Sequence, residues 1–177
     1  IDFDFNDVVL RVTPNTSKQT ISAYLRAAGG MKKTLVYYDD PNNGKQLLGE
    51  VHELFGVKTN TTVNTGTNMT HNEVLLSNTL NWPSGSTMSN NRNRFYIEVY
   101  DSNDTLERTV HAGDTMPEDN TVPQTICVAT GEWEWPQETT PLPTAYTYIG
   151  KWGRNHNDAN YFNWYTQGDK NKVTKKK

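Results

Sequence analysis

The chain of 177 residues has the length of a single domain, residues 1–177, and its formal net charge of −3 argues against nucleic acid as a main partner. Only 34% of the residues are hydrophobic but 11% are aromatic, so we expect a core built from a few large side chains. No segment approaches the roughly 20 apolar residues of a membrane span. The single cysteine, Cys127, excludes an internal disulfide bond.

Three segments near the N-terminus have the alternating pattern of β-strands. Residues 8–13, 21–27 and 34–38 carry apolar side chains at every second position, and short polar turns separate them. This order predicts an antiparallel meander. Residues 45–55 then place apolar side chains at helical spacing before Gly56, which predicts a short amphipathic helix with a glycine C-cap.

The remaining chain alternates polar loops with further strand patterns. Residues 59–72 consist almost wholly of Thr, Asn and Gly, which is typical of a functional or mobile loop. Residues 95–100, 108–112 and 125–129 predict three more strands, the last with Cys127 as a small core residue. The final third is rich in aromatic residues, and 143–152 predicts a second short helix that begins at a proline.

The lysine-rich tail, 168–177, is expected to fray in solvent. The strand patterns and their polar turns predict a mainly β fold, an antiparallel β-sandwich of jelly-roll type with two short helices.

Acidic and amide side chains alternate with phenylalanines at the N-terminus, at Asp2, Asp4, Asn6 and Asp7. Hard oxygen ligands of this kind suit calcium, whereas zinc prefers His or Cys. The pattern resembles the start of an EF-hand loop but departs from it later, since Thr13 stands where that loop needs a bidentate Glu. We predict a calcium site here. The alternative is that the acids cap a turn while the phenylalanines pack.

Two further clusters offer additional metal ligands. Asp101 and Asn103 follow the strand at 95–100, and Asp114 lies in an acidic loop. Turn formation explains these residues equally well, because Asp and Asn side chains hydrogen-bond to nearby backbone in turns.

Trp133 and Trp135 would share one face of an extended segment and are candidates for stacking on sugar rings. The alternative is that they belong to the core, since a chain with few aliphatic residues must build its core from aromatic ones.

Several motifs resemble the LruC domain family of bacterial cell-surface proteins, abundant in Bacteroides and its relatives. In chain order they are DFNDVV at 4–9, EVHELFGV at 50–57, VNTG at 63–66 and WEWPQE at 133–138, followed by Ala145, Tyr146 and Trp152. The resemblance implies an exported, surface-associated β domain in which the segment around Asp4 and Asp7 holds calcium. Further acids usually precede this segment in the family, so the site would be incomplete in this chain.

The predicted function is therefore a non-enzymatic, calcium-stabilised module for adhesion or glycan binding, with a surface glycan or protein as partner. We expect the natural protein to begin upstream of Ile1, with an export signal or lipid anchor that takes it to the cell surface or periplasm. One alternative is a carbohydrate-active enzyme that uses a pair of glutamates from Glu53, Glu98, Glu132, Glu134 and Glu138. Another is a structural assembly subunit that accepts a partner at the edge of its first strand.

Overall fold

The computed structural model describes residues 5–113, 124–155 and 157–176. The fold is mainly β, as the sequence predicts, and consists of two antiparallel sheets. Their strands are β1 (Val9–Asn15), β2 (Thr20–Ala27), β3 (Lys33–Asp40), β4 (Gly44–Glu50), β5 (Val74–Asn81), β6 (Phe95–Tyr100) and β7 (Leu106–His111).

The three-stranded sheet has the order β1-β2-β5 and begins with a tight hairpin. Leu10 of β1 pairs with Leu25 of β2, and Leu80 of β5 pairs with Ile21. The alternation predicted for the first two strands is confirmed, because all four of these side chains pack into the core. Arg11 and the paired Tyr24 lie on the opposite face, since successive side chains of a strand alternate.

The four-stranded sheet has the order β4-β3-β6-β7. The predicted meander is therefore wrong: β3 does not pair with β2 but with β4 and β6, in the other sheet. The chain crosses between the sheets at residues 28–32, which lets Val36 and Tyr38 pack against residues of β2 from the facing sheet. The short connection between β2 and β3 would allow them to pair as a hairpin. Packing them in facing sheets is favoured instead because it buries the apolar faces of both strands.

Two clusters that draw on both sheets form the main core. One contains Ile21, Tyr38, Leu80 and Phe95, and the other contains Leu25 and Val36 with side chains from the chain segment 51–63. Tyr38 and Phe95 pack ring against ring at 4.6 Å between centroids. Large aromatic side chains such as these fill the core because only a small fraction of the residues is hydrophobic.

The predicted helix at 45–55 is only half correct. Residues up to Glu50 belong to β4, and helix α1 covers only Val51–Phe55. The side chain of Glu50 caps the helix by accepting from the backbone N–H groups of His52 and Glu53, so the helix begins there. Gly56 ends it in the left-handed region at φ 71°, which confirms the predicted cap.

The helical residues of the remaining chain lie in short segments: α2 (Met88–Asn91), α3 (Leu142–Ala145), α4 (Ile149–Arg154) and the 3₁₀ turns Arg92–Arg94, Ala159–Tyr161 and Trp164–Thr166. The helix predicted over 143–152 is thus two helices. None of the helices in the described residues is long and apolar enough to span a membrane. The strand predicted at 125–129 is absent from the described residues around Cys127, whose side chain is exposed.

The C-terminal third forms a separate aromatic cluster, which Trp133 links to Val9 and Ala27 of the three-stranded sheet. Its centre is Tyr146, Trp164 and Val173, each at most 4% exposed. The expectation of a frayed tail is wrong for the described residues up to 176, because Val173 is fully buried and the Thr174 backbone N–H donates to the Trp135 carbonyl (2.8 Å). The tail thus closes over the face of the sheet that carries Arg11.

Candidate functional site

The N-terminal motif is described from Phe5 onwards, so Asp2 and Asp4 lie outside the described residues. Asn6 is fully buried and its Nδ2 donates to the Pro136 carbonyl (3.4 Å), whereas Asp7 is exposed. The backbone N–H of Gly29 donates to the carbonyls of both Asn6 (3.0 Å) and Asp7 (3.2 Å). The motif is therefore bound to the crossing between β2 and β3.

Glycine is required at this contact. A Cβ atom on residue 29 would lie 2.3 Å from Asn6 Oδ1 and 2.9 Å from the Asn6 carbonyl oxygen, closer than atoms approach. The next residue, Gly30, accepts a hydrogen bond from Nε2 of the buried His52 (2.8 Å). The N-terminal motif and the motif around His52 thus meet through the two glycines.

Glu50 and His52 form a buried pair beneath this contact. His52 Nδ1 lies 2.8 Å from Glu50 Oε1, and Glu50 also accepts from the backbone N–H groups of Thr34, His52 and Glu53. Burial by itself would raise the pKa of the Glu50 carboxyl, but these hydrogen bonds outweigh it and hold the pKa below its usual range. The pair braces the start of α1.

The third and fourth motifs join the same network. Trp135 Nε1 donates to the Asn64 carbonyl (2.8 Å), and Asn64 Nδ2 donates to the carbonyls of Arg26 (2.8 Å) and His71 (3.0 Å). Asn64 Oδ1 accepts from the backbone of residues 70 and 71. These bonds, together with backbone bonds such as that from the Val63 N–H to the Ala28 carbonyl (2.7 Å), hold the loop that the sequence predicts to be functional or mobile. The four stretches that carry the family resemblance are thus connected, either directly or through Gly29 and Gly30.

Within the described ranges, no three His, Cys, Asp or Glu side chains come together as a metal-binding group. Asp101 serves the turn between β6 and β7, where its Oδ1 accepts from the backbone of Asn103 (2.8 Å) and Thr105 (2.9 Å). The hydrogen bonds from the backbone of Thr105 and Asn103 lower the pKa of Asp101, and the bond from Thr105 has the larger effect. Asp114 lies outside the described residues.

The two tryptophans with predicted sugar-stacking roles have different surroundings. Trp135 is only 1% exposed, and the Arg26 guanidinium covers its ring at 4.9 Å from the centroid. No face of Trp135 is therefore available for stacking, which matches the core alternative. Trp133 is half-buried and lines a cavity beside it.

Two connected spaces lie between the three-stranded sheet and the C-terminal segment. We call the first the inner cavity; it has about 90 Å³ and is lined by Arg26, Met69, Glu132, Trp133, Glu134, Trp135, Thr174 and Lys176. We call the second the outer groove; it has about 410 Å³ and is lined by Arg11, Arg26, Met69, His71, Asn72, Glu73, Glu132 and Lys176. Four residues line both, so the inner cavity opens beneath the groove.

Ion pairs fix the walls of the outer groove. Arg11 Nε donates to Glu73 Oε2 (3.0 Å) while its Nη2 pairs with Oε1, and Lys176 pairs with Glu132. The hydrogen bonds from Arg11 lower the pKa of Glu73, and the hydrogen bond from Lys176 lowers that of Glu132. Both carboxyls are therefore ionised at neutral pH.

Arg26 is the one buried charge in this region of the described chain, with 3% exposure. Its Nη1 donates to the carbonyl of Gly131 (2.8 Å), and the carboxylate of Glu73 lies 3.8 Å from its Nε, beyond hydrogen-bond distance. Burial lowers the pKa of Arg26, which reflects the cost of removing its charge from water.

Four of the five glutamates of the enzyme alternative are exposed or held in ion pairs, and the fifth, Glu138, is half-buried. Glu132 and Glu134 both line the inner cavity, but their side chains are 71% and 31% exposed and pair with Lys176 and Lys170. Glu98 pairs with Lys45 on the other sheet, and Glu53 is exposed on α1. The assembly alternative requires β1 to lie at the edge of its sheet, and it does. Every open sheet has edge strands, so this position does not by itself favour the alternative.

Some residues of the outer groove and inner cavity can be placed from the sequence, and others cannot. Arg11 and Tyr24 pair across the first hairpin, so their shared face follows from the turn at residues 16–19. That signal places Arg11 and Arg26 on the side away from the core. Glu73 and Thr174 carry no comparable signal, because their positions depend on how the loop and tail fold over the sheet.

Comparison of the chain with models of known protein families, with curated proteins and with solved structures gives no match.

Proposed function

We propose that this protein is a non-enzymatic binding module of the bacterial cell surface, and that its ligand is a glycan lying in the outer groove. The observation that carries the proposal is the groove's wall of pre-paired charges, Arg11 with Glu73 and Lys176 with Glu132. Such pairs present donors and acceptors together at fixed positions, which suits the hydroxyl groups of a sugar and lowers the entropy lost on binding.

The protonation of the groove favours binding over glycoside hydrolysis. Hydrolysis needs one carboxyl that keeps its proton near neutral pH to act as general acid. The pKa values of Glu73 and Glu132 are shifted downwards by their ion pairs, so neither suits that role.

Calcium at the N-terminal motif belongs to the same proposal, as a structural ion. Asn6 and Asp7 supply one amide and one carboxylate oxygen beside the Gly29–Gly30 crossing, which fits part of a calcium ligand set. Since the described residues hold no complete set, Asp2 and Asp4 would provide the others. The ion would then stabilise the crossing that leads to the core. Export to the cell surface rests on the family resemblance alone.

For the fold, we infer the Greek-key connectivity of immunoglobulin-like sandwiches in place of the jelly roll predicted from the sequence. The crossing from β2 to β3 leaves from the end of β2 that holds Leu25, which pairs with Val74 at the start of β5. The crossing from β5 to β6 therefore lies at the opposite end. Opposed crossings, with β2 beside β5 and β3 beside β6, match that connectivity.

The glycan proposal is tested by screening the protein on a glycan array and titrating the strongest ligand by calorimetry. Arg11→Gln should weaken binding by about tenfold or more, since it removes a charged donor and releases Glu73. Arg108→Gln, an exposed arginine of β7 on the other sheet, is the matched control and should bind as the wild type. Absence of any glycan ligand, or equal binding by both variants, would overturn the proposal.

A further inference from the structure

Three buried polar groups of the inner cavity have no hydrogen-bond partner within the described part of the chain. They are Arg26 Nε, Trp133 Nε1 and Thr174 Oγ1. Arg26 is 3% exposed and Thr174 is 1% exposed, so bulk water does not satisfy them. Each unsatisfied buried group costs about 1–3 kcal/mol, and all three are hydrogen-bond donors that need an acceptor.

The donors are held in place by the surrounding backbone. Arg26 is anchored through Nη1 to the Gly131 carbonyl and lies over the ring of Trp135. Thr174 is fixed by the bond from its backbone N–H to the Trp135 carbonyl. Arg26 and Thr174 are therefore held in fixed positions beside the inner cavity, and preorganisation of this kind favours binding.

The charges around the two spaces leave one positive charge uncompensated. Three cationic side chains, Arg11, Arg26 and Lys176, line the two spaces together with three carboxylates, Glu73, Glu132 and Glu134. Glu134 is paired with Lys170, which lines neither space, so two carboxylates are left for the three cations. The excess lies on Arg26, because Glu73 is already hydrogen-bonded to Arg11. A ligand group with a single negative charge would balance it. The second charge of a dianion would be repelled by the carboxylates of Glu73 and Glu132 in the outer groove.

We propose that the inner cavity takes a carboxylate group and that the glycan of the outer groove is an acidic saccharide, such as a hexuronate. This inference rests on the proposed function, which places the sugar ring in the groove. The two carboxylate oxygens would accept from Arg26 Nε, Trp133 Nε1 and the Thr174 hydroxyl. A volume of about 90 Å³ holds such a group, or several waters in its absence.

The test uses three matched probes, titrated calorimetrically: glucuronate, its uncharged amide and glucose. Two variants remove one donor each: Trp133→Phe, which keeps an aromatic ring, and Thr174→Val, which keeps the side-chain shape. Glucuronate should bind the wild type at least about tenfold more tightly than the amide or glucose. Each variant should lose about tenfold for glucuronate and leave glucose unchanged.

Matched controls make the same chemical changes elsewhere. Trp82→Phe removes an indole N–H that donates to Gln19 on the far side of the core, and Thr79→Val alters an exposed threonine of β5. Both should retain the preference for glucuronate. If they lose it, the effect of the cavity variants is not local and the inference fails.

The outcomes separate the two proposals. Equal affinity for glucuronate and glucose, or glucuronate binding that neither cavity variant weakens, would overturn the inference and leave the glycan module standing. A short peptide that competes through its terminal carboxylate more strongly than glucuronate would overturn the choice of a saccharide. Absence of binding by all saccharides, neutral and acidic, would overturn the proposed function and the inference with it.

Discussion

Replacement of Glu50 by glutamine tests how much the buried Glu50–His52 pair contributes to stability. Glu50 is 5% exposed and accepts four hydrogen bonds, from the backbone of Thr34 (3.1 Å), His52 (2.8 Å) and Glu53 (2.8 Å) and from His52 Nδ1 (2.8 Å). His52 Nε2 faces the Gly30 carbonyl at the same time. Both ring nitrogens of His52 are therefore held by oxygen atoms, one of them from Glu50.

The expected cost follows from which bonds survive in the variant. The glutamine oxygen keeps the two backbone bonds that cap α1, while its NH₂ group turns towards Thr34 and His52. The amide can donate to His52 Nδ1 while Nε2–H keeps its bond to the Gly30 carbonyl, so only the Thr34 N–H loses its acceptor. One unsatisfied buried donor costs about 1–3 kcal/mol, and loss of charge weakens the cap, so Glu50→Gln should cost about 3 kcal/mol.

The assay is unfolding by denaturant at several pH values. The folded pKa of Glu50 lies below the unfolded value, so its contribution is fully present above about pH 4.3 and declines as pH falls through the folded pKa. The difference between wild type and variant should therefore be largest near pH 7 and shrink in acid. Glu53→Gln, an exposed change on the same helix, should cost less than about 1 kcal/mol. A loss below about 1 kcal/mol at pH 7 for Glu50→Gln, or one that does not vary with pH, would refute this reasoning.

Two further predictions concern the N-terminal motif. Gly29→Ala should cost more than about 2 kcal/mol in unfolding free energy because its Cβ would overlap Asn6, whereas Gly66→Ala, with open space around it, should cost less than about 1 kcal/mol; similar losses would contradict the close packing. Added calcium should raise the melting temperature, and Asp4→Ala combined with Asp7→Ala should abolish the rise; a wild-type curve unchanged by calcium or chelator would remove the ion from the proposal.

The strands that face the core could be predicted because one face of each is wholly apolar. In β2, the alternation of Ile21, Ala23 and Leu25 with polar residues fixes which face is buried, and the structure buries that face. The same pattern does not say which strand pairs with which. The meander prediction failed for that reason, since β3 pairs with β4 and β6, in the opposite sheet.

The helix prediction is wrong for residues 45–50 because its pattern is ambiguous over a short run. Leu47 and Leu48 fit helical spacing with residues of α1, yet Leu47 pairs with Tyr37 of β3. The strand then shifts register at Leu48 and continues through Gly49, which pairs with Val36, to Glu50. Because β4 leads directly into α1, no turn sequence separates the strand pattern from the helical pattern, and the two cannot be told apart. The order of the loop at 59–72 has no signal in the sequence either, because the loop is held by polar contacts. Asn64 donates to the Arg26 carbonyl, and the Met69 N–H donates to the Lys175 carbonyl.

The candidate site could not be predicted because it is built from segments far apart in the chain. Alternation places Arg26 on the wet face of β2, but the segments around Trp133 and Thr174 cover that face and bury the charge. Local rules are broken most often where function requires it, and a buried arginine without a carboxylate at hydrogen-bond distance breaks one. The failure of the sequence pattern at Arg26 therefore points to the same place as the geometry.

If Arg26 is retained for ligand binding, its replacement should separate stability from function. Arg26→Met keeps much of the side-chain length over Trp135 and removes the buried charge, and such replacements are often neutral or stabilising. In the variant the Gly131 carbonyl loses its hydrogen bond from Arg26, but Gly131 is exposed and its carbonyl can accept from water instead. We expect an unfolding free energy within about 1 kcal/mol of the wild type or above it, together with loss of the glucuronate preference. A loss of more than about 3 kcal/mol would show instead that the buried guanidinium is structural, because only a charge already compensated within the protein contributes that much to folding.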